Sequence, residues 1–202
     1  GEGLLLQRLA DLGFANLVGI DPFAAADASR NGVPILKKHL ADLSGEFDCI
    51  MFHHSFEHVP DPLATLQQAD RLLSRNGRLL IRIPVVTSAA WRAFGVHWVQ
   101  LDAPRHFYLH SLTSMKLLAQ KTNMTVESIH YDSAAMQFWG TEQYRQDIGL
   151  WESRSYCVNP QKSLFSKKDI RRFERQAQAL NARGEGDQAI FILSRTTAVP
   201  VR

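Results

Sequence analysis

The chain opens on Gly1-Glu2-Gly3, runs directly into an apolar, helix-periodic segment, and then reaches a short hydrophobic run, Leu17-Val18-Gly19-Ile20, that ends in Asp21. No other stretch constrains the fold as tightly. Glycines at a turn remove the Cβ atoms that would hold a ligand away from the backbone. A carboxylate at the tip of the following strand offers only acceptors, which suits a pair of sugar hydroxyls. Glycine turn, helix, strand and acid in this order predict the second half of a nucleotide-binding βαβ unit. The strand that should lead into the glycines is missing, so the expectation is a chain that begins inside its first motif, truncated at its N-terminus. A tight helix-capping turn is the plainer alternative for a GxG pair alone.

Two ligands compete for such a turn. A dinucleotide fingerprint wants Gly or Ala three residues after the second glycine, where helix and strand pack closely. Leu6 stands there, and the chain has no Tyr-x-x-x-Lys pair for hydride transfer; both argue against an NAD-dependent oxidoreductase. S-adenosylmethionine has no pyrophosphate to seat and needs only the turn and the acid. It is the expected cofactor.

With 202 residues, 45% hydrophobic and 21% charged, the chain reads as one globular domain with a real core. No apolar run approaches the roughly 20 residues that span a bilayer, and no signal peptide opens it. Its two cysteines, Cys49 in an expected buried strand and Cys157 in a late loop, have no metal spacing. A reducing, cytoplasmic setting is the expectation. The net charge of +3 is too small to imply nucleic acid. Much of the basic excess lies in residues 162–175, expected as one amphipathic helix with a solvated face and without aromatics interleaved for base stacking.

Taken in order, residues 4–12 form a leucine-striped helix stopped by Gly13, and residues 17–20 a buried strand. Asp21-Pro22-Phe23 turns the chain into a short alanine-rich helix, with Phe23 suited equally to an adenine face or to the core. Residues 33–36 make a strand whose Pro34 marks an edge or an entry position. A strongly apolar strand over residues 47–52 runs into His53-His54-Ser55-Phe56-Glu57-His58. On an extended chain His53 and His54 point to opposite sides, and no metal site is expected there. Asp61 is the N-cap and Pro62 the first residue of a helix that Asn76-Gly77 ends. Residues 78–83, 125–131 and 189–194 are further strands, Ser111 caps the helix before the second of them, and Gly184-Glu185-Gly186-Asp187 reads as flexible. The alternation predicts an α/β fold with a doubly wound, mostly parallel sheet.

Residues 47–62 fit the pattern FDxIxxxHxxEHVxDP, and residues 96–111 carry WVQLDAPRHF followed by His110-Ser111. On these stretches nearly the whole chain resembles the class I S-adenosylmethionine-dependent methyltransferases, in a bacterial branch. The resemblance implies a seven-stranded Rossmann-like sheet whose last strand is antiparallel, with the first strand absent from this chain. It implies a cofactor-binding core over residues 1–132, a mostly helical insertion near the substrate over residues 133–188, and the last strand over residues 189–195. The tail after Arg195 is expected to fray.

Carried onto this sequence, Gly1 and Gly3 match the glycine turn and Asp21 the ribose acid, with Pro22 and Phe23 beside it. For the adenine contact, Asp42-Leu43 fits by chemistry and His39-Leu40 by distance from the strand, and both pairs stay open. His53 falls where the family lines the methionine moiety. Glu57, His58, Trp98, Arg105, Phe138, Trp139 and Tyr144 are expected on the substrate side. Methyl transfer depends mainly on aligning nucleophile, carbon and sulfur, and a base is needed only where the acceptor must lose a proton. His106 is the first candidate for that base and His54 the second, since imidazole titrates near neutrality. The plainer readings are a loop hydrogen bond for His106, a surface ion pair for Arg105, and core packing for the aromatics. The implied acceptor is a small molecule, a sugar or a lipid-linked compound. A non-catalytic binding or scaffold protein of the same fold is the alternative, and the sequence carries no sign of the oligomeric state.

Overall fold

The structure is a computed structural model that describes residues 3–196; Gly1 of the glycine pair and the tail from Thr197 on lie outside the described residues. The chain divides into two compact units, residues 1–46 and residues 47–202.

The first unit begins with α1 (Leu4–Asp11), followed by β1 (Gly19–Ile20), β2 (Ala28–Arg30) and β3 (Val33–Leu36). Gly3 is the N-cap of α1 in the left-handed region at φ 74°, and Gly13 leaves the helix at φ 90°, a conformation glycine adopts without steric cost. Only part of the leucine stripe is covered within the unit: Leu6 and Leu9 are half-buried, while Leu4, Leu5 and Leu12 are exposed. The expected alanine-rich helix does not form: residues 22–26 are turn and bend, and β2 follows from Ala28. Asn31 and Gly32, both with positive φ, make the two-residue hairpin turn whose twist matches paired strands, and Ala28, Ser29 and Arg30 pair antiparallel with Ile35, Pro34 and Val33. Pro34 therefore lies in the central strand of the order β1-β3-β2, not on an edge. It is tolerated because β1 is so short: Gly19 and Ile20 pair only with Ile35 and Leu36, and Pro34 falls outside that ladder. Phe23 is 89% exposed, which removes its core reading.

The second unit holds β4 (Phe47–His53), α2 (Pro62–Leu72), β5 (Leu73–Pro84), α3 (Ala89–Phe94), α4 (Leu112–Lys121), β6 (Met124–Tyr131), α5 (Met136–Tyr144), α6 (Lys167–Ala182) and β7 (Gln188–Arg195). Its sheet has the order β4-β5-β7-β6. β4 and β5 are parallel, and β7 runs antiparallel to both β5 and β6, so the last strand is antiparallel as expected. Leu79, Ile81 and Ile83 of β5 stand opposite Leu193, Phe191 and Ala189 of β7. All six are fully buried, the period-two face of a half-covered sheet. Asp61 caps α2, its Oδ1 accepting from Ala64 N at 2.9 Å, and Ser111 caps α4. α2 stops at Leu72 rather than at Asn76-Gly77, because Leu73 already pairs with Phe47 and is buried. The basic helix starts at Lys167, where Ser166 and Asp169 form a reciprocal capping box. Cys49 is exposed, not buried: β4 is the outer strand of its sheet, with β5 as its neighbour.

Candidate active site

In the first unit the structure tests whether a nucleoside-bearing cofactor fits the glycine turn. A Cβ on Gly3 would lie 2.4 Å from Ile35 Cδ1, a tip that can move aside, and it is the left-handed φ of 74° that favours glycine at this turn. Asp21 follows β1 directly, and its Oδ1 accepts from Phe23 N at 2.9 Å, which sets the carboxylate at the carboxyl end of the strand. An acceptor-only group at that end and a bare backbone at the turn suit a ribose. Leu40, Asp42 and Leu43 lie on or beside a short 3-10 turn, where Asp42 Oδ2 accepts from His39 N at 2.9 Å. Asp42 thus has a backbone duty of its own.

In the second unit the carboxyl ends of β4, β5 and β6 and the start of β7 bring a polar cluster together, the end at which open α/β sheets bind ligands. His54 has φ 52°, so the chain turns at once after β4. His53 and His54 do not diverge as on an extended strand: their rings lie 5.3 Å apart. Both Nε2 atoms face Arg82 Nη1. A guanidinium only donates, so each imidazole offers a lone pair there. Burial, with the Arg82 charge second, holds the His53 pKa below the ordinary histidine value. Arg82 is oriented by Asp132, whose Oδ2 accepts from Nε at 2.6 Å. His54 therefore has its Nε2 occupied, and its Nδ1 lies 3.4 Å from Glu57 Oε1.

Glu57 sits on a 3-10 turn and is 1% exposed. Among the described residues neither of its carboxylate oxygens has a hydrogen-bond partner. Its carbonyl accepts from Phe107 N at 2.9 Å, and Pro60 O accepts from Tyr108 Oη at 3.2 Å. These bonds clamp the Phe107-Tyr108 segment, directly after His106, to the Glu57 turn. The clamp puts His106 Nε2 4.0 Å from Glu57 Oε1 and 3.6 Å from Asp102 Oδ2, while His106 Nδ1 faces Gln100 O at 2.9 Å. A carbonyl can only accept, so Nδ1 carries the proton and Nε2 the lone pair. Burial lowers the His106 pKa, partly offset by the Gln100 bond and the two carboxylates. His58 repeats the arrangement, with Nδ1 on Arg105 O at 2.8 Å. Arg105 itself is an exposed partner of Asp102.

Beside this cluster lies a cavity of about 400 Å³, lined among others by His54, Arg82, Gln100, Gln137, Asp187 and Gln188. Arg82, Asp187 and Gln188 escaped the sequence reading. The loop before β7 looks flexible by composition, yet Asp187 is 2% exposed and accepts from Trp98 Nε1 at 2.9 Å; burial raises its pKa. The signal was an acid directly ahead of an apolar strand. Trp98 is fully buried and Trp139 nearly so, each within a hydrophobic cluster. Phe138 stacks on Phe173 at 5.5 Å and lines a separate, mostly apolar cavity with Ala89, Phe94 and Leu180. Tyr144 is near Asp102 and Arg105, and burial, with Asp102 second, raises its pKa.

The sequence pattern of the methyltransferase domain matches residues 1–129. A ubiquinone biosynthesis O-methyltransferase of Histophilus somni (strain 2336) is 29% identical over 164 residues, covering 69% of this chain and 68% of that protein. One from Xanthomonas oryzae pv. oryzae (strain PXO99A) is 28% identical over 145 residues, covering 63% of this chain, and the chain spans only 59% of that relative's length. In fold the chain is similar to a SAM-dependent methyltransferase from Archaeoglobus fulgidus, with a TM-score of 0.55 at 17% identity over 96% of this chain and 81% of that one. No helix among the described residues is long and apolar enough to cross a membrane. The chain belongs to the methyltransferase domain family.

Proposed function

We propose that this chain is an S-adenosylmethionine-dependent methyltransferase that transfers the methyl group to a hydroxyl oxygen of a small, polar acceptor, a sugar or lipid-linked headgroup included. When bound, S-adenosylmethionine supplies a methyl carbon on a sulfonium, and the sulfur departs neutral. The residues proposed to hold its nucleoside are Gly3, Asp21, Pro22 and Phe23, with Leu40, Asp42 and Leu43 toward the base. The residues proposed for the acceptor line the polar cavity, where Arg82 and the amides of Gln100, Gln137 and Gln188 offer donors and acceptors to hydroxyls.

What carries the assignment to oxygen is the state of His106. Its Nδ1 proton is held by Gln100 O, so Nε2 is free to accept a proton from an acceptor hydroxyl. Glu57, 4.0 Å away and buried, stabilises the imidazolium that results, as a buried carboxylate does beside a catalytic histidine. His54 is the second candidate, because Arg82 occupies its Nε2. The relatives named as O-methyltransferases support the same atom class.

Calorimetric titration with S-adenosylhomocysteine tests the cofactor, and a radiolabelled methyl donor with a panel of sugars and phenols tests the acceptor. Asp21→Ala is expected to weaken S-adenosylhomocysteine binding by tenfold or more, roughly the loss of one charged hydrogen bond. His106→Asn is expected to leave that binding intact and lower transfer about 10²–10⁴-fold. Binding without transfer to any hydroxyl, in a folded chain, would favour a non-catalytic protein of this fold.

A further inference from the structure

The cluster beneath the cavity contains acceptors aimed at one another. Glu57 Oε1 and Oε2 have no hydrogen-bond partner among the described residues, although the residue is 1% exposed. His58 Nδ1 and His106 Nδ1 are each spent on a backbone carbonyl, Arg105 O at 2.8 Å and Gln100 O at 2.9 Å. In the neutral rings both Nε2 atoms then carry the lone pair, and the two rings lie 4.8 Å apart. One ligand atom from each of Glu57, His58 and His106 falls within 4.8 Å of the others. Glu57 is left with His54 Nδ1 at 3.4 Å and no hydrogen bond among the described residues, and burying such a carboxylate is unfavourable unless something positive joins it.

We propose that Glu57, His58 and His106 form a binding site for a divalent cation of the zinc class. Two imidazole nitrogens and one carboxylate are a ligand set for zinc with one position open, at bond lengths of about 2.0–2.2 Å. Nδ1 of each histidine is already fixed by a carbonyl, the support that orients metal-ligating imidazoles. The ligand atoms need close by only roughly 1 Å each to reach those lengths. A fourth position would be open to an oxygen ligand, and a cation of this class lowers the pKa of bound water to about 7. Were a cation bound there, it would occupy the His106 lone pair and the acceptor's proton would pass to water; His106 would serve as the base in the cation-free chain. The site does not depend on the cofactor assignment.

Cobalt(II) is the probe, since its visible absorption distinguishes four- or five-coordinate protein sites from the hydrated ion. Titrating the full chain is expected to give one tightly held cobalt per chain with an intense low-symmetry spectrum, displaced by zinc. Glu57→Gln and His58→Ala are each expected to weaken binding at least about tenfold, with folding checked by circular dichroism. His58 is only half-buried, so His58→Ala decides the matter if the glutamine variant fails to fold. A folded chain that leaves cobalt hydrated overturns the proposal, and so does binding that His58→Ala leaves unchanged. S-adenosylhomocysteine titration in parallel separates this from the cofactor reading: lost cobalt with intact S-adenosylhomocysteine binding sinks the cation site alone, and the reverse sinks the cofactor reading alone.

Discussion

The His110 ring lies between Phe56 and Tyr108, with centroid distances of 5.3 and 5.9 Å, and its Nε2 has no hydrogen-bond partner among the described residues. Burial pushes its pKa down to about 4 from an ordinary value of 6.5, against the pull of Glu57. The folded chain therefore holds His110 neutral at a pH where the unfolded chain protonates it. Above pH 6.5 the residue leaves stability untouched. As pH falls from 6.5 toward 4 the unfolded state gains the proton first and stability drops, by about 3 kcal/mol in all. Urea unfolding across this range is expected to show a steeper acid loss in the parent than in His110→Phe, which keeps an aromatic ring and removes the titration. Equal slopes would mean that His110 is not the group held neutral.

Between elements, the contact of α1 with β1 answers a question that the sequence poses at Leu6. Nucleotide-binding units keep a small residue on the helix so that the strand can approach. Here the space is made on the other side: a Cβ on Gly19 of β1 would lie 2.6 Å from Leu6 Cδ1. The glycine and the leucine have exchanged sides of one close contact. Gly19→Ala is expected to cost about 1 kcal/mol, modest because a leucine tip can swing aside. Pairing it with Leu6→Ala is expected to recover part of that loss, a positive coupling in a double-mutant thermal-denaturation cycle. Elements with local chemical stops were legible in the sequence. Asp61-Pro62, Ser111 and the strands of alternating apolar residues announce themselves within a few positions. β2 did not, because Ala28 and Ser29 have no strand preference and are held by the Asn31-Gly32 turn and by β3. The candidate site was half legible for the same reason. Glu57, His58, Arg105 and His106 lie in two recognisable motifs, whereas Arg82 and Asp187 join them only through the ordering of β4, β5 and β7.

For the molecule as a whole, the position of each strand in its sheet decides what solvent reaches. Residues 47–52 have the apolar content of an inner strand, but β4 is the outer member of its sheet. Cys49 and Cys157 are both exposed and unpaired, so a chromogenic disulfide reagent is expected to titrate both thiols without denaturant, and only one in Cys49→Ser. Partial desolvation pushes the Cys49 thiol up, and its reaction is expected to quicken as pH rises beyond the usual thiol range. A Cys49 that reacts only on unfolding would place β4 inside a sheet.

The outer position of β4 has one more consequence. Among the described residues its ladder bonds run to β5 alone, and the run Cys49-Ile50-Met51-Phe52 contains neither charge nor proline. Backbone groups along such a margin can template a strand from another molecule. Asp48, exposed at one end of the run, is the charge expected to oppose that growth. The colloidal lifetime of this protein in concentrated solution is thus expected to respond to the charge flanking this one strand.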